Sequence, residues 1–148
     1  MTLVNVSIVV ERPFADVFAY LSNFENNPLW QGGMKSAKIT SPEPFGVGST
    51  YDQVATFLGR EIITSFKVIA YEPNRMVKAT STASSFPITF MRAVEPIEAG
   101  TTRVTAVIEG DASGFYKLFT PLMDWMVKRS IEKDYANLKR ILESQGGG

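Results

Sequence analysis

The hydrophobic period of the chain changes after Gly110 and stays changed to the end of the pattern, and this change constrains the fold more than any other feature. Before Gly110, apolar and polar residues mostly alternate, and short clusters of Gly, Pro, Asn and Ser interrupt the alternation. After it, apolar residues recur at intervals of three and four. Alternation is typical of half-buried strands, and the longer spacing is typical of an amphipathic helix. The sequence therefore predicts a sheet followed by a long helix.

Short connections between the alternating segments indicate how the sheet is paired. The predicted strands cover residues 3–11, 35–39, 50–58, 61–71, 76–82, 86–95 and 101–109. A parallel pair needs a crossover of about a dozen residues or more, whereas tight turns join antiparallel strands. We therefore expect an antiparallel sheet of six or seven strands.

Two helices complete the predicted fold. Pro13 suits a first helical turn, and an apolar stripe follows it from Phe14 to Leu21 at helical spacing. The second stripe runs from Phe115 to Leu142, and Pro121 either kinks this helix or marks its true start. A helix stripe packed against one sheet face gives the α+β class. We expect a single domain over residues 1–145 and a disordered Gly tail at 146–148.

The composition excludes several kinds of chemistry. The chain has no Cys and no His, so acid–base work would fall to carboxylates, Lys, Tyr or water. Fifteen basic residues balance fifteen acidic ones, which gives no field to attract nucleic acid. We expect no cofactor, because neither metal-ligand clusters nor a phosphate-binding loop is found in the sequence. No apolar run reaches the roughly 18 residues of a membrane span, and the first residues do not match a signal peptide, so we expect a cytoplasmic location.

One predicted strand carries a basic residue among apolar ones. Ile88, Phe90, Arg92 and Val94 share one face of the segment 86–95. If that face is inward, a lone guanidinium enters an apolar chamber and needs a carboxylate from the protein or from a ligand. If the face of Met91 is inward, or a bulge turns the strand, Arg92 lies in solvent. The sequence leaves both registers open.

Three more residues could contact a ligand. Trp30 follows an Asn-Pro turn and is either a wall of a cavity mouth or a packing anchor at the end of the sheet. Tyr51 and Gln53 share a face with Ala55 and Phe57. If this face is inward, they offer a hydroxyl and an amide to orient a ligand, and otherwise the strand has ordinary mixed polarity.

The order of these elements resembles the START-like, Bet v 1-like (SRPBCC) superfamily, in its bacterial polyketide cyclase/dehydrase-like branch. The resemblance covers nearly the whole chain and is carried by residues 8–13 with 17–21, 23–30, 47–49, 68–75 and 134–143. It implies a helix-grip fold, in which a curved antiparallel sheet wraps around the long C-terminal helix. It also implies an apolar cavity for a lipid-like or polyketide-like molecule.

The resemblance leaves the activity open between three hypotheses. The first is a module that binds a small hydrophobic or amphipathic molecule. The second is a cyclase or dehydratase that uses the same cavity without a metal or nucleotide cofactor, with Tyr51 or Arg92 polarising a carbonyl. The third is an interaction protein with a filled core, and a homodimer is compatible with the sequence.

Five apolar residues are candidates for the cavity wall. They are Phe66, Phe90, Phe119, Met123 and Met126. Phe and Met on a helix stripe usually belong to a core. The resemblance favours a cavity lining, because one helix does not easily fill a curved sheet, and Met adapts to guests of variable shape.

Overall fold

The computed structural model describes residues 2–57, 59–83, 87–110 and 120–146 of the chain. In chain order the elements are β1 (Thr2–Val10), α1 (Phe14–Ser22), a 3₁₀ turn (Phe24–Asn26), α2 (Asn27–Trp30), β2 (Met34–Ile39), β3 (Thr50–Phe57), β4 (Arg60–Glu72), β5 (Met76–Ala83), β6 (Ile88–Glu98), β7 (Thr101–Gly110) and α3 (Thr120–Gly146). The predicted α+β class and the long C-terminal helix are confirmed.

The seven strands form one curved antiparallel sheet in the order β1-β7-β6-β5-β4-β3-β2. Every neighbouring pair after β1 is also consecutive in the chain, so the sheet is a meander that β1 completes by pairing with β7. The long helix α3 packs across the concave face near β1. This is the helix-grip arrangement that the sequence predicts.

The burial pattern of β6 settles the register that the sequence left open. Phe90, Arg92 and Val94 are buried, whereas Met91 and Ala93 between them are partly exposed. Because successive side chains of a strand point to opposite faces, the face that carries Arg92 is the concave one. The guanidinium therefore lies inside the molecule.

The seam of α3 consists of residues that the helical period predicts. Tyr135, Leu138 and Leu142 are almost fully buried against the sheet. Lys139 also donates a hydrogen bond to the carbonyl of Val9, at 2.7 Å, which ties the helix to the end of β1. Since α3 begins at Thr120, Pro121 lies in its first turn, where a missing N–H is tolerated.

Two short helices close one end of the half-barrel. The apolar stripe of α1 buries Val17, Phe18 and Leu21. The chain then turns sharply, because the side chain of Asn23 accepts a hydrogen bond from the amide of Glu25 at the start of the 3₁₀ turn. This turn brings α2 and its Trp30 over the concave face of the sheet.

Candidate functional site

A cavity of about 220 Å³ lies between the concave face of the sheet and α3. Its wall is mostly apolar, and it is partly open on one side. The sheet contributes, among others, Ile62, Phe66, Ile88, Phe90 and Ile108, and α3 contributes Val127, Ser130, Ile131, Asp134 and Tyr135. The polar members of the wall are few, so their placement decides what the cavity can hold.

Arg92 carries a positive charge into this wall. Its side chain is 4% exposed. Nη1 donates hydrogen bonds of 3.0 Å to two acceptors, the carbonyl oxygen of Leu21 and the side-chain oxygen of Asn27. Both acceptors are neutral, and so is the Tyr135 hydroxyl, because burial raises the pKa of Tyr135 more than the charge of Arg92 and a hydrogen bond with Arg92 lower it. These partners hold the guanidinium at the end of the cavity that α1 and α2 close.

Aromatic rings surround the same guanidinium. Its central carbon lies 4.9 Å from the ring centroids of Trp30 and Phe90 and 5.3 Å from that of Phe24. A cation over ring faces is attracted by their quadrupoles, and the attraction is stronger when water is excluded. The rings fix the position of the charge without neutralising it.

No carboxylate lies within salt-bridge distance of Arg92 in the part of the chain that the structure describes. Its Nε is buried and finds no acceptor among those residues. Burial of a charge without an opposite charge is costly, and an unmade hydrogen bond adds to the cost. The cavity wall therefore has an unused capacity to bind an anionic or strongly polarised oxygen.

Trp30 belongs both to the wall of the cavity and to its packing. It is 2% exposed, and its ring meets the ring of Tyr135 edge to face at a centroid distance of 4.9 Å. The two interpretations of Trp30 from the sequence are therefore compatible, because the side chain packs α2 on α3 and also lines the cavity. Its Nε1 is buried with no acceptor within the described residues.

Tyr51 lies behind the wall rather than among the lining residues. Its ring stacks on Phe66 at 4.9 Å between centroids, and it contacts Phe24 at 4.5 Å. Its hydroxyl is fully buried, and of the described residues none accepts or donates a hydrogen bond to it. Burial raises the pKa of this phenol strongly, against the opposing charge of Arg92, so the group stays protonated at neutral pH.

Asp134 is a carboxylate in the wall at the contact between α2 and α3. Its Oδ1 accepts a hydrogen bond of 3.0 Å from the amide of Gly32. Burial raises the pKa of Asp134, while the Gly32 amide and the charge of Lys133 oppose the rise. The site thus holds a cation at its closed end and a half-buried acid at this contact.

The remaining predicted site residues fall into three groups. Gln53, Phe66 and Phe90 line the cavity. Met126 is half-buried, and the described lining does not include it. Phe119 and the side chain of Met123 lie outside the described residues.

Sequence reasoning missed the part of α3 that lines the cavity. It concentrated on the Phe- and Met-rich start of the stripe, whereas the lining comes from Val127, Ile131 and Tyr135 one to two turns further on. The signal was available, since these three residues repeat at intervals of four on one helix face. Asp134 carried no such signal, because only the fold brings it to Gly32.

Among the residues that the structure covers, no group of three His, Cys, Asp or Glu side chains could hold a metal ion. None of the described helices has the length and hydropathy needed to cross a membrane.

Comparisons with known proteins place this geometry in context. A sequence profile of the family described as polyketide cyclase/dehydrase and lipid transport matches residues 1–143. The search of curated proteins found no match.

Solved structures with the same architecture are similar over nearly the full chain. A START superfamily protein from Mycobacterium smegmatis gives a TM-score of 0.82 at 15% identity, covering 98% of this chain and 99% of that one. A protein from Thermus thermophilus gives 0.80 at 15% identity, with coverages of 97% and 98%. The Zhui aromatase/cyclase from a Streptomyces species gives 0.74 at 12% identity, with coverages of 97% and 92%. At these identities the similarity concerns the fold.

Proposed function

The protein belongs to the polyketide cyclase/dehydrase and lipid transport family, and we propose that it binds a small hydrophobic or amphipathic molecule, lipid-like or polyketide-like, in the cavity between the sheet and α3. Trp30, Gln53, Phe66, Phe90 and Arg92 would contact this molecule, since all of them line the cavity. The contributions of Phe119, Met123 and Met126 stay predictions from the sequence.

Arg92 is the observation that carries the proposal. It is a buried guanidinium with neutral hydrogen-bond partners at the closed end of a mostly apolar cavity. A filled hydrophobic core has no use for such a charge, because well-packed apolar residues in its place are often as stable or more stable. A guest with a carboxylate or a polarised carbonyl would complete its hydrogen bonding.

The experiment compares two neighbouring isoleucines of β4. Ile62 lines the cavity and is 7% exposed, whereas Ile63 points outward and is 62% exposed. Decanoate is titrated into wild type, Ile62→Trp and Ile63→Trp by calorimetry. We expect Ile62→Trp to fill the cavity and to weaken binding by about tenfold or more, while Ile63→Trp binds as wild type does.

Replacement of Arg92 tests the polar end of the site. Arg92→Gln keeps a donor for Leu21 and Asn27 but removes the charge, and Arg92→Lys keeps the charge. The Gln variant should lose affinity for decanoate and keep its affinity for decanol, while the Lys variant should retain the preference for the acid. Unchanged decanoate binding by Ile62→Trp would contradict the proposal, because the molecule would then bind elsewhere.

Asp134 favours an enzyme as the second candidate function. The carboxylate form of Asp134, which burial makes more basic, can accept a proton from carbon next to a carbonyl, while Arg92 in the same cavity stabilises the enolate oxygen. In an aldol-type cyclisation of a polyketide-like substrate, the enolate carbon then attacks a second carbonyl carbon, and the oxygen of that carbonyl takes up the proton from Asp134. Asp134→Asn should then bind a β-diketone with the affinity of wild type. It should lose the cyclisation of a linear poly-β-ketone, measured by the absorbance of the aromatic product.

A further inference from the structure

The volume of the cavity indicates how much of a guest it can enclose. At about 220 Å³ it is smaller than the clefts of about 300–1,000 Å³ that hold drug-sized ligands. It is larger than an apolar cavity of about 150 Å³ that binds benzene in another protein. The difference leaves room for a few atoms beyond one six-membered ring.

The closed end of the cavity prevents a longer guest from extending inward. Phe24 lies directly behind Arg92, and Tyr51 packs between Phe24 and Phe66. All three rings are at most 1% exposed. Because these packed rings fill the space behind Arg92, an alkyl chain cannot pass it.

The chemical character of the wall indicates the shape of the guest. Trp30, Phe66, Phe90 and Tyr135 all line the cavity, so a guest meets ring faces and ring edges on several sides. Aromatic pairs gain from offset and edge-to-face contact beyond the area that they bury. A planar ring therefore suits this wall better than a saturated ring of equal volume.

The charged groups of the wall determine where an acidic group of the guest can lie. Arg92 lies at the closed end, and the nearby Trp30 adds an Nε1–H with no acceptor among the residues described. Asp134 contributes an acidic group further along the wall, at the Gly32 contact. A guest with one acidic group next to Arg92 is favoured, and a second acidic group near Asp134 is repelled.

Resting on the proposed function, we propose that the cavity is specific for a small aromatic monoacid, of one ring and a short acidic side chain, with its acid group bound at Arg92. The substrate class of the site is thereby narrowed from lipid-like and polyketide-like molecules in general to a compact aryl acid. A long acyl chain or a fused polycyclic ring system exceeds the enclosed volume, extends through the open side of the cavity and therefore binds more weakly.

Four probes separate the components of this proposal. The reference is 3-phenylpropionate, titrated into the protein by calorimetry at neutral pH. Its amide lacks the charge, 3-cyclohexylpropionate lacks the aromatic ring, and 1-pyrenebutyrate is too large. We expect the reference acid to bind about tenfold or more tighter than its amide and about two- to tenfold tighter than the cyclohexyl acid.

Substitutions in and beside the cavity test whether 3-phenylpropionate binds there. Ile62→Trp should abolish binding of 3-phenylpropionate, and Ile63→Trp should leave it unchanged. Arg92→Gln should reduce the affinity for the acid to that for the amide, while Arg92→Lys retains a preference for the acid. Circular dichroism and thermal unfolding of each variant check that it is folded.

The outcomes distinguish this inference from the proposed function. If 1-pyrenebutyrate or decanoate binds more tightly than 3-phenylpropionate and Ile62→Trp removes that binding, the guest class is wrong and the binding function stands. If the cyclohexyl acid binds as well as the phenyl acid, the aromatic part of the inference is wrong. If none of the probes binds in a way that depends on Ile62, both are overturned.

Discussion

At the scale of single residues, Arg92 combines burial with incomplete pairing. Two oxygens from distant parts of the chain, on Leu21 and Asn27, hold one nitrogen of the guanidinium. Three rings surround it. Hydrogen bonds to charged groups are among the stronger ones, at about 1.5–3 kcal/mol, so these partners keep the side chain in place. The position of the charge is therefore set before any guest arrives.

The burial of Asp134 gives a prediction about the pH dependence of stability. Because burial raises the pKa of Asp134, the unfolded chain gives up this proton at a lower pH than the folded protein does. The stability that this group contributes is therefore complete below the unfolded value of about 3.8 and is lost as pH rises through the raised pKa. Asp134→Asn should gain free energy of unfolding relative to wild type as pH rises across that window, measured by urea denaturation.

Glu143 provides a control of opposite sign. Its hydrogen bonds with Lys139 and with the amide of Glu11 lower its pKa. Its contribution is therefore present above the unfolded pKa and lost as pH falls through the lowered one. Glu143→Gln should destabilise the protein more at neutral than at acidic pH. For each variant, the difference in free energy of unfolding from wild type is measured as a function of pH. If this difference changed in the same direction for Asp134→Asn as for Glu143→Gln, the argument from the burial of Asp134 would be contradicted.

At the scale of elements, α3 depends on its seam. Leu138 on the packed side of the helix is fully buried, whereas Leu122 on the solvent side is 54% exposed. A helix in a protein gains most of its stability from the packing of its apolar face rather than from propensity. The seam between Tyr135 and Leu142 therefore holds α3 on β1 and keeps one wall of the cavity in position.

Truncation of Leu138 tests this seam. Leu138→Ala leaves a cavity between α3 and the sheet, and we expect it to cost about 2–5 kcal/mol in chemical denaturation. The matched change Leu122→Ala on the exposed side should alter the free energy of unfolding by no more than about 0.5 kcal/mol. A cost for Leu138→Ala as small as that of the control would mean that α3 does not pack through this face.

The elements were predictable because their signals are local. Alternation on β6 showed which residues share a face, and the three–four spacing after residue 115 showed the stripe of α3 with Leu138 in it. Neither signal says which face of a strand meets the helix. For Arg92 that choice depends on Leu21 and Asn27, which are 71 and 65 residues away in sequence.

The candidate site was predictable only in part for the same reason. Phe66 and Phe90 followed from face sharing, and the structure places both in the wall. Asp134 reaches the site through a contact with Gly32 across 102 residues, and no pattern in a single sequence records such a pair. Side chains that act through long-range contacts appear only once the fold is known.

At the scale of the whole molecule, the first strand and the last helix meet in the core. Strand β1 pairs with β7 along its length, and α3 packs over β1. The short helix α2 joins the same core through the contact of Trp30 with Tyr135. Because sheet, helix and the wall of the cavity share buried residues, they should lose their structure together.

The two tryptophans allow a test of this cooperativity. Trp30 is 2% exposed in the wall of the cavity, and Trp125 is 59% exposed on α3. In Trp125→Phe the emission reports on Trp30 alone. We expect its shift to longer wavelength in urea to coincide with the loss of far-ultraviolet circular dichroism, as in a two-state domain. In the control Trp30→Phe, the emission of Trp125 should shift much less, because that ring already contacts water.

A shift of Trp30 at lower urea than the circular dichroism change would mean that the cavity opens as a separate unit. Saturation with a guest of the cavity should then move both transitions of Trp125→Phe together, by about 2.7 kcal/mol at a concentration of one hundred times its Kd.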